Sequence, residues 1–277
     1  MTLVRSGAHL AKRVRQTPQL FRNFPEVFWD LGTHRTRLRR KEMTFRMRNG
    51  YVVTCPNVNG ARFPLYEIFA DDAYHLRDLT AGVDADAAVL DVGGQIGSFS
   101  LALAEVLPKS RIHVYEASPV SASYISRNVD DNGLGATITV HGEAMAGEPG
   151  EFTFVDSGTA SGHNGLTAPG WMKEQGATEV TVPAQSFDRA VAEIAADGRS
   201  VQIVKMDVEG AEYDIVLRSS PSSWAQVRKV VMEYHPVDGH SLDELLAFFA
   251  AVGLEPGRHE PGLRPGLGVI WLSRPAQ

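Results

Sequence analysis

The stretch Val89-Leu-Asp-Val-Gly-Gly-Gln-Ile-Gly-Ser-Phe-Ser100 decides the fold. An apolar run from Ala87 to Leu90 ends in Asp91, and a turn carrying Gly93, Gly94 and Gly97 follows. Phe99, Leu101, Ala102, Ala104 and Leu107 then recur at helical spacing until Pro108. Strand, glycine turn and helix, in that order, bring backbone close to a nucleotide-like ligand at a helix N-terminus. Such turns occur in several kinds of α/β protein, so the rest of the chain has to choose among them.

Downstream, apolar runs and helical patterns alternate. Ser110 to Glu116 reads as the second strand, and Ser118-Pro119 as N-cap and first residue of a helix that Gly133 stops. Ala136 to Val140 is the third strand, running into His141-Gly142-Glu143-Ala144. An insertion at 145–185 follows. It holds strands at Gly150 to Val155 and Glu179 to Pro183, around a Gly/Ser/Thr/Ala tract from Ser157 to Gly170. That tract has little apolar surface to bury and reads as a mobile loop. His163 within it is placed to close over a substrate. Ser186-Phe187-Asp188 opens a helix. Val201 to Asp207 is almost wholly apolar, as a strand covered on both faces should be. A helix from Gly210 to Leu217, a strand from Val227 to Tyr234 and an amphipathic helix from Ser241 to Val252 complete the alternation. Gly253 to Arg258 and Gly266 to Leu272 read as a closing antiparallel hairpin at one edge.

Ahead of this region, Met43 to Cys55 reads as a β-hairpin, with Asn49-Gly50 as a type I′ turn pair. Residues 57–79 read as irregular, with Glu67 and Tyr74 near the cleft of the main domain. The first 41 residues carry ten Lys and Arg against Glu26 and Asp30. Such a basic start is compatible with a transit peptide. However, Leu20, Phe21, Phe24, Val27, Phe28 and Trp29 read as a helical arm that packs on a core or on a second copy of the chain. The division expected is an arm and hairpin at 1–80 and a ligand-binding domain at 81–277.

The 277 residues carry a net charge of −6, which gives no reason to expect nucleic acid as partner. A single cysteine, Cys55, excludes an internal disulfide and suits a reducing compartment, so the cytoplasm is the expected location. No apolar run is long enough to span a bilayer.

Ligands of open α/β sheets bind beyond the carboxyl ends of the strands. Here those ends are Asp91, Glu116, Glu143, Asp207 and the pair Glu233/His235, all ionisable. Glu116 is placed to take two ribose hydroxyls on its two oxygens. The glycine spacing, Asp91-x-Gly93-Gly94-x-x-Gly97, departs from the Gly-x-Gly-x-x-Gly dinucleotide turn and has the Asp-x-Gly-x-x-x-Gly form of methyltransferases. Glu143 and Ala144 would then lie near an adenine amino group.

The run Lys205-Met-Asp207-Val-Glu209-Gly-Ala-Glu212 carries a more specific signal. With the Asp-Val-Gly loop, Tyr115-Glu116 before Ser118-Pro119, Phe187-Asp188 and Met232-Glu-Tyr-His235, it resembles the FkbM family of S-adenosylmethionine-dependent methyltransferases from about Thr44 to Ser273. Two positions depart from the family pattern. Gly93-Gly94-Gln95 stands where Gly-Ala-Asn is usual, and Glu116-Ala117 where Glu-Pro is common. The resemblance implies an α/β fold with a class I methyltransferase (Rossmann-like) sheet. That sheet is mostly parallel with an antiparallel C-terminal hairpin. It also implies S-adenosyl-L-methionine as cofactor and a small-molecule hydroxyl acceptor, a sugar or secondary metabolite. The expected cofactor set is Asp91, Gly93, Gly94, Gln95, Gly97, Glu116, Ser118, Glu143, Ala144 and Asp207.

Strand alternation puts Lys205 and Asp207 on one face, roughly 7 Å apart, and Glu233 and His235 on one face of the next strand. This cluster is expected to orient and deprotonate the acceptor. His235 is the candidate base by intrinsic pKa, with Asp207 as runner-up. A mid-sheet lysine is costly unless paired, so Lys205 reads either as part of that cluster or as a structural ion pair with Asp207, Glu233 or Asp188. A divalent metal, if used, would sit on Asp207, Glu233 and His235. Two other readings stay open: a nicotinamide-dependent oxidoreductase, and a non-catalytic interaction module. The N-terminal arm is a candidate surface for a homo-oligomer.

Overall fold

The alternating apolar runs pair into one central sheet. A computed structural model describes residues 2–33, 36–58, 60–156 and 178–275. The chain begins with helices α1 (Thr2–Leu20) and α2 (Phe24–Thr33), then strands β1 (Glu42–Arg46) and β2 (Val52–Pro56). Short helices α3 (Phe63–Phe69) and α4 (Leu76–Thr80) lead into β3 (Ala88–Val92), α5 (Ser98–Val106), β4 (Arg111–Tyr115), α6 (Pro119–Asp131) and β5 (Ile138–His141). Next come β6 (Ala144–Ala146), β7 (Gly150–Asp156), β8 (Thr178–Ser186), α7 (Phe187–Ala196), β9 (Val201–Met206) and α8 (Glu212–Arg218). Strand β10 (Lys229–Tyr234), α9 (Leu242–Ala251), β11 (Glu255–Pro261) and β12 (Gly268–Ser273) close the chain. The Ser157 to Gly170 tract, with His163 and Asn164, lies outside the described residues.

The seven-stranded sheet has the order β11-β12-β10-β9-β3-β4-β5. Strands β5, β4, β3, β9 and β10 are parallel, while β12 runs antiparallel to β10 and β11 antiparallel to β12. The closing hairpin is therefore present, but its second strand lies inward and its first forms the edge. From β3 the chain moves outward to β4 and β5, then returns to β9 on the other side. That reversal opens a crevice at the carboxyl ends of β3, β4 and β9, where such sheets bind ligands.

Side chains alternate along β3. Val89 packs with α5, α6 and the hairpin, while Ala88, Leu90 and Val92 pack with α7, α8 and Trp224. The sheet is covered on both faces, which is why its strands read as apolar runs. The arm joins the first of these cores. Phe21 is fully buried, 4.7 Å from the Phe45 ring and 5.4 Å from Tyr66, worth roughly 2–3 kcal/mol for one such side chain. One apolar cluster therefore runs from residues before position 81 to residues after it. Val14 and Trp29 of the arm stay exposed.

Two local expectations change, and one short strand is new. Asn49-Gly50 is not a type I′ pair: of the two, Gly50 alone has positive φ, and its N–H bonds Met47 O. The arm causes this, because Arg48 N–H reaches Leu20 O and Met47 bridges Phe21. Residues 57–79 are not irregular but hold α3 and α4, of seven and five residues. Helices that short have too few repeats to show a period. Strand β6 was not legible either, at three residues. It joins β8 and β7 in a small separate sheet. No helix among the described residues is long and apolar enough to cross a membrane.

Candidate active site

The glycine turn after β3 is shaped by its protein neighbours. A Cβ on Gly93 would lie 1.8 Å from the Asp207 carbonyl oxygen, and one on Gly94 would lie 2.2 Å from Val114. Gly93 and Gly94 both donate to Tyr115 O. Gln95 follows with φ of 53°, left-handed without being glycine. The turn thus lets the tips of β3, β4 and β9 close on one another.

Glu116 ends β4 beneath this turn. Its Oε2 accepts the Gln95 N–H at 2.8 Å and its Oε1 the Ser118 N–H at 2.8 Å. Each oxygen keeps a further lone pair, so the carboxylate still has room for two hydroxyl donors. Burial pushes its pKa up to about 7, against those two N–H donors and Lys205. Ser118 is fully buried and acts through Glu116. Its hydroxyl caps α6 and donates to Asp156 at 2.8 Å, so its side chain is not free for a cofactor. Glu143 is half-buried near the stacked rings of Tyr115 and His141, whose centroids are 4.3 Å apart. Ala144 is withdrawn into β6.

Asp91 and Lys205 depart most from expectation. They are direct neighbours across β3 and β9. Asp91 is 0% and Lys205 4% exposed. Lys205 Nζ lies 3.1 Å from Asp91 Oδ1 and donates to Gly93 O at 2.5 Å, while Ser100 Oγ donates to Asp91 Oδ2 at 2.6 Å. Burial acts to lower the Lys205 pKa, but Asp91 and Asp207 outweigh it and leave the ammonium above its ordinary value. Asp91 and Lys205, expected to meet the cofactor and the acceptor, are instead turned towards one another inside the sheet. The pair braces the glycine turn from below, and Lys205 finds its partner in Asp91 rather than in Asp207, Glu233 or Asp188. The sequence hid this because the partners are 114 positions apart on strands made neighbours only by the crossover.

The turn after β9 and the end of β10 build a second group. Glu212, fully buried at the start of α8, accepts N–H bonds from Val208 at 3.3 Å and Gly210 at 3.0 Å. Its Oε1 also lies 2.7 Å from His235 Nδ1. The opposite nitrogen, Nε2, faces Glu209 Oε2 at 3.4 Å and Glu233 Oε1 at 4.0 Å. Burial opposes charge on His235, but the Glu212 bond and the surrounding carboxylates raise its pKa to about 9. That direction favours the protonated imidazole near neutrality, whereas the sequence reading takes His235 as the base. Burial, opposed by His235, lifts Glu209 to about 7. Burial and repulsion from Asp207 also raise Glu233.

Two residues from ahead of the sheet complete the rim. The Glu67 carboxyl is raised by burial, with Arg13 opposing and Asp207 adding repulsion. The Tyr74 hydroxyl is raised well above its usual value by burial, then by Asp207, Glu233, Asp91 and Glu67. Tyr74 is set by an edge contact with Phe99 at 5.3 Å and by Trp271 Nε1 donating to its carbonyl. Asp207, Glu209 and His235 each present a ligand atom, and these lie within 4.8 Å of one another. In the metal-capable group Glu209 thus replaces Glu233. A left-handed turn at Glu209, φ 51°, swings its carboxylate back towards His235. Sequence reasoning missed Glu209 and Glu212 as site residues, although both stand inside the run it singled out.

Residues 91–256, more than half of the chain, match the Methyltransferase FkbM domain. The chain belongs to the FkbM methyltransferase family. The α/β sheet is of the Rossmann-like, class I methyltransferase type. Among curated relatives, it is 26% identical over 235 residues to 31-O-demethyl-FK506 methyltransferase FkbM of Streptomyces tacrolimicus, covering 76% of this chain and 88% of that one. It is 25% identical over 218 residues to AMB antimetabolite synthetase AmbE of Pseudomonas aeruginosa, 68% of this chain but only 10% of that much longer protein. Methyltransferase sdnD of Sordaria araneosa is 25% identical over 62% of this chain and 74% of its own. Among solved structures, an FkbM methyltransferase from Methylobacillus flagellatus overlays with a TM-score of 0.47 at 14% identity. The overlay covers 78% of this chain and 55% of that one.

Proposed function

We propose that this FkbM-family protein transfers a methyl group from S-adenosyl-L-methionine to a hydroxyl of a small molecule, a sugar or secondary metabolite. The observation that carries the reading is the placing of two groups at one rim of the sheet. Glu116, held by two backbone N–H bonds with lone pairs to spare, fits a ribose. On the neighbouring strands, Asp207, Glu209, Glu233 and His235 fit the acceptor. When bound, the cofactor supplies an electrophilic methyl group on a sulfonium. The work left to the chain is to orient the acceptor oxygen and take its proton. Glu233 is the proton acceptor in this reading, at its carboxylate, because burial and Asp207 make it more basic than an ordinary carboxylate while the positive charge of the neighbouring His235 favours its ionised form. Asp207 and His235 orient the hydroxyl.

A hydroxyl acceptor accords with the printed activity of the Streptomyces relative, an O-methyltransferase by its name. The carboxylates at the rim and a net charge of −6 disfavour a nucleic-acid acceptor, whose phosphates they would repel. The dinucleotide reading falls away with the family match. A homo-oligomer through the arm remains a proposal, supported by the exposed Val14 and Trp29. The cytoplasmic assignment rests on one cysteine whose thiol, buried and raised to about 12, is inert.

The test has two parts. Calorimetric titration with S-adenosylhomocysteine should show binding that Glu116→Gln weakens at least tenfold; no heat at high micromolar ligand would sink the cofactor assignment. Incubation of host extract with methyl-labelled cofactor should then give a labelled methyl ether. A labelled N-methyl or C-methyl product would overturn the hydroxyl acceptor.

A further inference from the structure

His235 is 8% exposed, and its two nitrogens have opposite surroundings. Nδ1 is 2.7 Å from Oε1 of the fully buried Glu212, which also ties down the Val208 and Gly210 N–H groups. Nε2 points the other way and, among the described residues, forms no hydrogen bond. Its neighbours, Glu209 Oε2 at 3.4 Å and Glu233 Oε1 at 4.0 Å, are ion-pair contacts only. A buried imidazole with one nitrogen locked by a carboxylate, and the other presented to open carboxylates, is the arrangement that orients histidines towards metals; binding releases the Nε2 proton to solvent and leaves Nδ1–H donated to Glu212. Independently, Asp207, Glu209 and His235 bring three ligand atoms within 4.8 Å of one another.

We propose that Asp207, Glu209 and His235 bind a divalent transition-metal ion, on which the acceptor hydroxyl takes an open position. The proposal rests on the reading of this rim as the acceptor end of the transfer site. The donor set chooses the class of ion. Magnesium and calcium are served by all-oxygen sets. One imidazole with two carboxylates suits manganese, iron, cobalt or zinc. Three protein ligands leave positions open, as reactive metal sites require. The ligands come from two neighbouring elements, the turn after β9 and the end of β10, so the sheet itself sets their spacing. Both follow strands whose carboxyl ends face the crevice.

The ion has a definite task. A neutral alcohol is a weak nucleophile, and a coordinated one is far more acidic. The O–H bond breaks with its proton passing to Glu233, which is not a ligand but stands 4.0 Å from His235 Nε2. The oxygen keeps the electron pair for the new bond to the methyl carbon, as the bond from that carbon to the sulfonium breaks and its pair returns to sulfur, leaving a neutral thioether. A divalent ion also offsets the charge that Asp207, Glu209, Glu233 and Glu67 place around one crevice.

The test uses the full chain, stripped with a chelator, without cofactor or acceptor. Titration with Mn²⁺, followed by electron paramagnetic resonance and calorimetry, should give one bound ion per chain. Glu209→Gln and His235→Gln should each weaken it at least tenfold, and the remote Asp243→Asn should leave it unchanged. Glu209 has a side chain 30% exposed, so its variant should keep the wild-type circular dichroism even if the His235 variant does not fold. Failure of both Mn²⁺ and Zn²⁺ to bind at about 1 mM, a Kd beyond any site of use, overturns the proposal. So does binding that Glu209→Gln leaves untouched. Titrating the same stripped protein with S-adenosylhomocysteine separates the two readings. If it binds that ligand but no metal, the metal alone falls; if it binds metal but not that ligand, the transferase assignment falls.

Discussion

Lys205→Met tests whether the lysine of the Lys-x-Asp-x-Glu-Gly-Ala-Glu run braces the fold or takes part in chemistry. Its ammonium is 3.1 Å from Asp91 and 2.5 Å from the Gly93 carbonyl, in a place where Asp91 has no exposure at all. At that separation, with an effective dielectric constant of about 20, the attraction is about 5 kcal/mol. The desolvation cost of the two ions is of similar size, so the net worth of the pair is small. Removing one partner is different, because it leaves a buried charge alone, at about 3–5 kcal/mol. Lys205→Met should therefore lose about 3–5 kcal/mol of an unfolding free energy on the order of 5–15 kcal/mol. Asp91→Asn should cost less than Lys205→Met, since the ammonium keeps the Gly93 carbonyl. The double variant should be more stable than the sum of the single losses predicts, by on the order of 2–3 kcal/mol. Urea unfolding of the four proteins measures all of this. If Lys205→Met unfolds within about 1 kcal/mol of wild type but has lost turnover, the lysine is part of the chemistry and the bracing argument is wrong.

Four further outcomes follow from the same geometry. Affinity for S-adenosylhomocysteine should fall as pH drops below about 7, because Glu116 is raised to that value by burial and only its ionised form accepts two hydroxyls. Calorimetry across pH 5.5 to 8.5 checks this, with Glu116→Gln flat. The stability contribution of Glu116 has the opposite sign. It is fully present below the unfolded value of 4.5 and lost as pH rises through about 7, which pH-dependent unfolding of wild type against Glu116→Gln detects. Gly93→Ala should abolish cofactor binding, since its Cβ would meet the Asp207 carbonyl at 1.8 Å. Gly133→Ala, also at positive φ but with open space around it, should cost only about 1–2 kcal/mol and no affinity. Cys55 should resist a thiol reagent in the native protein and react on unfolding, being fully buried with its pKa raised to about 12.

What could be read from the chain divides along a physical line. The central sheet was legible because strands buried on both faces write their burial as apolar runs, as in Val201 to Met206, and because caps such as Ser118-Pro119 act within one turn. The positions of Glu116, Asp207, Glu233 and His235 followed from the rule that strand ends meet the ligand. Pairing was not legible. Asp91 has the same strand-end signature as Asp207, yet its registry with Lys205 across β3 and β9 turns both side chains inward, towards one another. The surroundings of His235 were hidden for a related reason. Its ordinary pKa made it the natural base, but the value is set by Glu212, which lies 23 positions away and reaches it only through the β9–β10 pairing.

That contact bears on how the site is built. Glu212 organises the turn that carries Glu209, and through Nδ1 it also orients His235. One buried carboxylate therefore sets the position of two of the three ligand atoms, from a helix that begins at that same residue. Lys205 and Asp91 do the corresponding work beneath the glycine turn, and the Gly93 tip presses on the carbonyl of Asp207, the third ligand. The cofactor end and the acceptor end of the crevice are thus joined through backbone at Gly93 and Asp207. A change that loosens the glycine turn should then loosen metal binding as well as cofactor binding. Gly93→Ala should weaken Mn²⁺ affinity together with S-adenosylhomocysteine affinity, although Gly93 contributes no ligand atom. Retention of full Mn²⁺ affinity in Gly93→Ala would show the two ends to be independent, and the coupling through Asp207 would be refuted.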